Sequence, residues 1–385
     1  MISKKIELFL NHLKNKVFTK DLNCKIFLGY SAGPDSTALL KILSSISYLK
    51  DKIYAIHVNH GISENRFKWE EISLRTCEKL NIPLKIIRVD IKNSPLYDRG
   101  ILASCRFERY KAIFDFISSS EFKGYDKFYL TAHHVDDLIE TYLMRIFKGY
   151  DISKCIGFGY NFDDSEFSLN LHYPDVKILR PFLDYVFNHD PKITLDDVII
   201  SKDELLEYCL SDKNIEFVID EENLDEYFDR NFIRHKIMKD LSKKYTSVRR
   251  TLVYNILSLY DDLYIKNNNI SFDKYIEYLN IRYKYFDIDG FLRSINLSKN
   301  DLIKNNSLFR ELCRIIQNLV KLITFNNDSI SRSNSHNLVY QILKNYSKSD
   351  SNVKIFTSKL VIRYDAKKKL LYFYDKNSMK EARDD

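Results

Sequence analysis

The residues best suited to chemistry lie in GYSAGPDSTALLKIL (29–43), where an apolar run, CKIFLGY (24–30), gives way to a helical pattern. Pro34 is a favourable first-turn residue. The successive amides of Gly33, Asp35 and Ser36, together with the positive end of the helix, can surround an anion. The loop lacks the Gly-Lys-Ser/Thr of ordinary phosphate loops, so no lysine reaches the terminal phosphates. Ser31 and Ser36 offer hydroxyls instead, and Asp35 offers a carboxylate that could hold Mg²⁺ beside the phosphates. Taken alone, a Ser-Gly turn before a helix is more often simply a well-capped turn.

Four further clusters join it. His57, Asn59 and His60 in HVNHGIS (57–63) emerge from a buried strand, where they suit contacts to a nucleotide or simply satisfy one another. Arg106 and Arg109 in ASCRFERY (103–110) are three residues apart on one helix, so both guanidiniums can face one anion, although an isolated arginine pair is more often a surface ion pair. In TAHHVDDLIETYLMRIFKG (131–149), His133, Asp137 and Thr141 follow i, i+4, i+8, while Asp136 and Glu140 are four apart on an adjacent face. No cysteine or further histidine completes a tetrahedral zinc set at recognisable spacing. Asp136, Asp137 and Glu140 are therefore expected to form an acidic rim able to bind ammonium groups or Mg²⁺. Finally, Arg230, Asn231 and Arg234 place two arginines on one helix face, suited to a phosphate backbone.

The elements that must position these groups are legible in the first 150 residues. Near-continuous apolar runs at 24–30, 52–60, 84–90 and 127–134 alternate with helical stretches at 36–49, 65–80, 103–119 and 136–148. That alternation predicts an α/β fold with an open, parallel, doubly wound sheet, whose ligands bind beyond the carboxyl ends of the strands. A polar segment holding Asn188, Asp190, Pro191 and Asp196 reads as a loop before a helix starting near Ser201. From about 216 the pattern is mostly helical. VKIFTSKLVIRY and KKLLYFY, joined through Asp365 and Ala366, read as a small C-terminal β-hairpin followed by a fraying tail. The expected domains are a catalytic domain at 1–215, a helical domain at 216–350 and the hairpin and tail at 351–385.

Composition sets the outer bounds. The 385 residues are 45% hydrophobic and 29% charged, with only 9 Gly and 6 Pro, which excludes a collagenous or Pro/Gly-rich disordered chain. No apolar run is long enough to span a bilayer, and Ile6, Phe9, Leu13 and Val17 mark an amphipathic opening helix rather than a signal peptide. A net charge of +7 permits an anionic partner. Basic residues gather at 230–250 and at 354–369, the latter interleaved with Phe356, Tyr364 and Tyr372, a mixture that suits RNA. Six cysteines without a CxxC pair read as free thiols in a reducing cytoplasm.

SAGPDS resembles the SGGxDS loop of the N-type ATP pyrophosphatase (PP-loop) family, whose fold is of the adenine nucleotide alpha hydrolase type. HVNHGIS, ASCRFERY, the 131–149 block, LRPFL (179–183) and the segment ending in RNFIR are similar, in order and spacing, to the tRNA(Ile)-lysidine synthetases within it. The resemblance covers roughly residues 20–240. It implies a cytoplasmic ligase using ATP and Mg²⁺, which adenylates carbon-2 oxygen of the wobble cytidine of a CAU-anticodon isoleucine tRNA and lets free L-lysine displace AMP. Decoding then changes from AUG to AUA.

By that resemblance Ser31, Ala32, Gly33, Pro34, Asp35, Ser36, His57 and Asn59 bind ATP, and Asp35 also binds Mg²⁺. Asp35, Arg106, His133 and Asp137 are the expected catalytic residues, with Asp137 as the base that deprotonates lysine. Asp136, Asp137 and Glu140 would bind lysine, and Arg109, Arg230, Asn231 and Arg234 the tRNA. This sequence departs from the family pattern at Ala32, Ser63, Leu102, Asp151, Lys154 and Glu222. The alternatives are a PP-loop tRNA thiolase, disfavoured by the absence of paired cysteines, and a non-catalytic RNA-binding relative. The oligomeric state, homodimer included, is left open.

Overall fold

In a computed structural model, described for residues 2–156, 173, 175–190, 192–219, 227–267, 279–280, 285–324, 329–346, 352–357 and 359–375, the chain forms two compact units. The first holds residues 1–187 and 195–254, the second 188–194 and 255–385.

The first unit is built on five parallel strands, β1 (Cys24–Gly29), β2 (Ile53–Asn59), β3 (Leu84–Arg88), β4 (Asp126–Leu130) and β5 (Val176–Leu179), in the order β3-β2-β1-β4-β5. Helices α2 (Pro34–Ser44), α3 (Arg66–Leu80), α4 (Ile101–Ile117) and α5 (Val135–Phe147) follow β1, β2, β3 and β4 in turn, after an opening helix α1 (Ile2–His12). Central β1 is buried almost throughout, because helices cover both faces of a parallel sheet. The chain winds outward from β1 to β2 and β3, then returns to pair β4 on the other side of β1. This reversal makes the carboxyl ends of β1 and β4 the switch point at which such sheets bind ligands. The predicted strands and helices are all present, with ends displaced by a few residues.

The opening helix buries Ile6, Phe9 and Leu13, as its spacing requires. Phe9 stacks on Phe182 at 4.9 Å between centroids, and His12 Nε2 lies 2.6 Å from Asp184 in a buried pair. Those partners belong to a helix, Pro181–Asn188, where the sequence suggested the approach to a loop. Pro181 opens that helix, and its apolar residues through Phe187 are buried. Asp196 likewise falls in a short helix, Leu195–Val198, while Pro191 lies outside the described residues. Ser201 caps the helix Lys202–Leu210 as expected: its Oγ accepts from Glu204 N at 3.3 Å while Glu204 Oε2 accepts from Ser201 N at 2.8 Å.

The units divide at Tyr254, not at 215, because the arginines of 230–249 are tied to carboxylates of α5. In the second unit the C-terminal strands are not separate from the helices. Its sheet is antiparallel, with β6 (Leu279–Asn280), β7 (Tyr285–Asp287), β8 (Asn352–Phe356), β9 (Leu360–Asp365) and β10 (Leu370–Asp375) in the order β6-β7-β10-β9-β8. The expected hairpin is β9–β10, and VKIFTSKLVIRY itself folds back as β8 and β9. Ile362, Tyr364, Leu371 and Phe373 from this sheet share one core with Leu312, Ile316 and Leu319 of the helix Asn306–Ile323.

Gly29, the last residue of β1, is required by close approach: a Cβ there would lie 2.5 Å from Tyr129 Oη and 3.2 Å from its Cζ on β4. Gly29→Ala is expected to destabilise the chain by about 1–3 kcal/mol in urea unfolding. Tyr129→Phe, by removing the nearest atom, should recover part of that loss in the double variant.

Candidate active site

The loop 31–36 lies at the sheet's reversal point, between the end of β1 and the start of α2. Ser31 Oγ accepts from Gly33 N at 3.2 Å and lies 3.2 Å from Ser36 Oγ, which donates to Gly33 O at 3.1 Å. These bonds fold the loop tightly over the first turn of α2. Ala32 has φ +63°, a left-handed conformation that costs a residue with Cβ on the order of 1 kcal/mol. Its carbonyl accepts from Val218 N at 2.8 Å, which anchors the loop from behind.

The loop after β4 faces it. His134 caps α5: its Nδ1 accepts from Asp136 N at 3.2 Å, and Asp137 Oδ2 accepts from His134 N at 2.9 Å. The other ring nitrogen, Nε2, lies 3.5 Å from Asp35 Oδ2 and 3.6 Å from Asp137 Oδ2. Burial alone would drive the imidazole neutral, but Asp137 and Asp35 outweigh it and push the pKa up to about 9. The bond from Asp136 N needs a lone pair on Nδ1, which only the neutral ring offers; once protonated, the ring is held by Nε2–H between the two carboxylates and by the Asp137 Oδ2 half of the cap. Asp35 Oδ1 is buried and has no hydrogen-bond partner. An unpaired carboxylate oxygen beside a phosphate-sized loop fits a hard divalent cation such as Mg²⁺. Among the described residues no three His, Cys, Asp or Glu side chains converge on a metal position.

The acidic rim is assembled, but it is closed. Arg230 donates from Nη2 to Asp137 Oδ1 at 2.5 Å and from Nε to Glu140 Oε2 at 2.8 Å. Arg234 holds Glu140 through Nε to Oε1 at 2.7 Å and Nη2 to Oε2 at 2.9 Å. Asp136 accepts from Arg249 Nε at 2.6 Å and from Lys202 N at 2.8 Å. The expected lysine-binding carboxylates and two of the expected tRNA-binding arginines are thus each other's partners. Although burial opposes it, His134 and Arg230 hold the Asp137 carboxyl well below the ordinary carboxylate range. With both oxygens engaged and so little basicity, Asp137 does not suit the role of base expected for it. Asn231 is buried between the two arginine positions in sequence.

The remaining candidates divide. His133 is buried beside the rim, its Nδ1 2.8 Å from Thr131 Oγ1 and 3.3 Å from Arg180 Nε, and burial pushes its pKa down to about 3. His60 is lowered to about 4 by burial and then by the charge of Arg109, whose side chain is exposed. Arg106 and Arg109 both lie over the Tyr110 ring, at 5.9 and 5.5 Å. His57 and Asn59 are tied into the framework instead: His57 Nδ1 is 3.0 Å from Tyr30 O, and Asn59 bridges Glu70 Oε1 at 2.6 Å and Gly61 N at 2.8 Å. Arg66 donates to Ser63 O at 2.9 Å, Leu102 is exposed, and Glu222 lies outside the described residues.

Two residues escaped the sequence reading. His134 was hidden because caps are usually Ser, Thr, Asp or Asn, although an aspartate three positions later is the signature of a capping box. Arg249 was visible only as part of the basic run 230–250, since its partner Asp136 is 113 residues away.

A family model described as a PP-loop domain matches residues 3–241. The chain belongs to the PP-loop family. The 31–36 segment is the one that resembles the family's PP-loop, and the matched region covers the five parallel strands and the arginine-bearing helix. The chain is similar to the tRNA(Ile)-lysidine synthase of Actinobacillus pleuropneumoniae serotype 3 (strain JL03), 29% identical over 223 residues, 57% of this chain and 43% of that protein. It is also similar to the tRNA(Ile)-lysidine synthase of Buchnera aphidicola subsp. Schizaphis graminum (strain Sg), 26% identical over 360 residues, 93% of this chain and 67% of that one. The chain spans about half the length of the first curated relatives it matches. A solved structure, the U34-tRNA thiolase NcsA from Methanococcus maripaludis with its [4Fe-4S] cluster, has a TM-score of 0.45 and 19% identity over 68% of this chain and 80% of that chain.

Two predictions follow from the charges around the PP-loop. Glu140→Ala takes both bonds from Arg234 and one from Arg230, which is over a third exposed and keeps Asp137, so it is expected to cost about 1.5–3 kcal/mol in denaturant unfolding. His133, lowered to about 3 in the folded chain against about 6.5 when unfolded, binds its proton more readily unfolded, so its contribution is lost progressively as pH falls below about 6.5. His134, raised, contributes fully below about 6.5 and loses its contribution only as pH rises through about 9. Urea midpoints should therefore fall between pH 7 and 5 in the parent and fall less in His133→Asn.

Proposed function

We propose that the chain is an ATP-dependent tRNA ligase that joins lysine to carbon 2 of the wobble cytidine of a CAU-anticodon isoleucine tRNA. The observation that carries this reading is the convergence of Asp35, in the PP-loop, with His134, Asp137 and Glu140 at the reversal point of the sheet. The names of the similar proteins supply the substrate.

In the first step the cytidine carbonyl oxygen attacks the α-phosphorus of ATP, the bond from that phosphorus to the bridging oxygen breaks, and pyrophosphate leaves. The amides and hydroxyls of 31–36 hold the phosphates, stabilising charge that grows on the leaving group. Asp35 would hold Mg²⁺, which neutralises phosphate charge when bound. His134 Nε2–H, aimed between Asp35 and Asp137, keeps the Asp35 carboxylate oriented.

In the second step the ε-nitrogen of lysine attacks carbon 2, the carbon–oxygen bond breaks, and AMP leaves. Asp137 and Glu140 are the counter-ions for lysine's ammonium groups, once Arg230 and Arg234 turn toward phosphate. The ε-ammonium, with an ordinary pKa near 10.4, gives up its proton to water rather than to Asp137. Arg109 and Arg234 are suited to the tRNA backbone.

The test is incubation with Mg-ATP, radiolabelled lysine and transcribed CAU-anticodon isoleucine tRNA, with Asp35→Ala as control. Label should enter that tRNA, not a methionine tRNA, and fall at least a hundredfold in the control. ATP conversion to AMP without label would overturn lysine as nucleophile. No AMP at all would favour a non-catalytic RNA-binding protein.

A further inference from the structure

Seven large apolar side chains are exposed on two short segments of the first unit: Ile146, Phe147, Tyr150 and Ile152 at the end of α5, and Tyr227, Phe228 and Phe232 before and within the arginine-bearing helix. Phe147 is 60% and Tyr227 89% exposed. The segments meet, because Lys148 Nζ lies 2.7 Å from Asp229 Oδ2 and because Arg230 and Arg234 grip Glu140 of α5. The patch thus borders the candidate active site, and Phe147 lies two helical turns beyond Glu140 on the same face of α5.

Most exposed hydrophobics are scattered and mean nothing, but a cluster of this kind marks a binding surface. Its setting is cationic. Arg145 lies over the Tyr150 ring at 5.9 Å while its Nη1 holds Lys154 O at 2.6 Å, and although Arg230, Arg234, Arg249 and Arg250 are paired with carboxylates outside 229–250, that segment still carries Lys236, Lys239, Lys243 and Lys244 against Asp240. A protein partner would favour an apolar patch poor in lysine. A duplex would meet the charges but leave the rings idle. Rings spaced among cations match a strand whose backbone is anionic and whose bases are unstacked.

We propose that this patch is a stacking platform for unpaired bases of the RNA loop that delivers the target nucleotide to the candidate active site. It rests on the reading above that RNA is the substrate. Stacking on Phe147 and Tyr227 holds the loop open beside Arg230, and the lysines take the backbone.

The full chain is titrated with a fluorescent RNA hairpin whose loop carries CAU, and with a blunt duplex of the same stem. Phe147→Ala and Tyr227→Ala should each weaken hairpin binding roughly tenfold, leave duplex binding unchanged, and leave the thermal melting of the protein unchanged. Phe147→Tyr, which keeps a ring, should bind the hairpin like the parent. The proposal is overturned by hairpin affinity that ignores both alanine variants, by equal losses for hairpin and duplex, or by Phe147→Tyr binding as weakly as Phe147→Ala. Binding is read without turnover, so the two readings fail separately. A chain that holds the hairpin through these rings yet never incorporates lysine keeps the platform and loses the ligase, and one that incorporates lysine with both alanine variants binding normally does the reverse.

Discussion

Two carboxylates on one face of α5, Asp137 and Glu140, are buried where the sheet's carboxyl edge leaves little water, and an unpaired charge there would be prohibitive. The arginines at 230 and 234 meet that requirement with four hydrogen bonds of 2.5 to 2.9 Å. Much else follows from it. The 229–250 segment is bound to the sheet-bearing unit, so the compact units part at Tyr254. The side chain of Arg249 adds a second tie, to Asp136 on the same helix.

The same constraint organises the PP-loop. Asp137 is shared: one oxygen faces Arg230, the other accepts the His134 backbone N–H and lies near its Nε2. His134 in turn lies between that carboxylate and Asp35. The loop after β1 and the loop after β4 are therefore coupled electrostatically as well as by strand pairing. A change in charge on either side of His134 alters the other, and that coupling is strong because the ring is fully buried.

Legibility in the sequence tracked the range of the physics involved. The strands and helices of the first 150 residues were readable because buried parallel strands are continuous apolar runs and each helix has a local period. The turn between β1 and α2 was readable because it is contiguous. What could not be read were pairings across long separations: Arg230 with Glu140 lies 90 residues apart and Arg249 with Asp136 lies 113. Arginine and carboxylate clusters were each visible, but assigned separately to tRNA and to lysine, since nothing local says that they touch. His57 and Asn59 differ in another way. Polar groups at a strand's end look functional, yet here they secure Tyr30, Gly61 and Glu70. The C-terminal hairpin was found, but its merger with the helical core depends on contacts between β9 or β10 and helices that local pattern cannot express.

A rim closed by arginines also constrains the order in which ligands of opposite sign can enter. An ammonium group gains little by approaching Asp137 or Glu140 while a guanidinium already occupies the same oxygens, since it must first expel a charge equal to its own. An anionic phosphate has the opposite effect: it offers the guanidiniums new partners and uncovers the carboxylates. Because bidentate phosphate contacts rival those to carboxylate, the exchange is close to balanced rather than uphill. An anion arriving first thus prepares the site for a cation, and a cation arriving first finds it shut. In the proposed reaction, which activates a nucleotide before an amine attacks, that asymmetry would keep the amine's proposed counter-ions covered until there is something for it to attack.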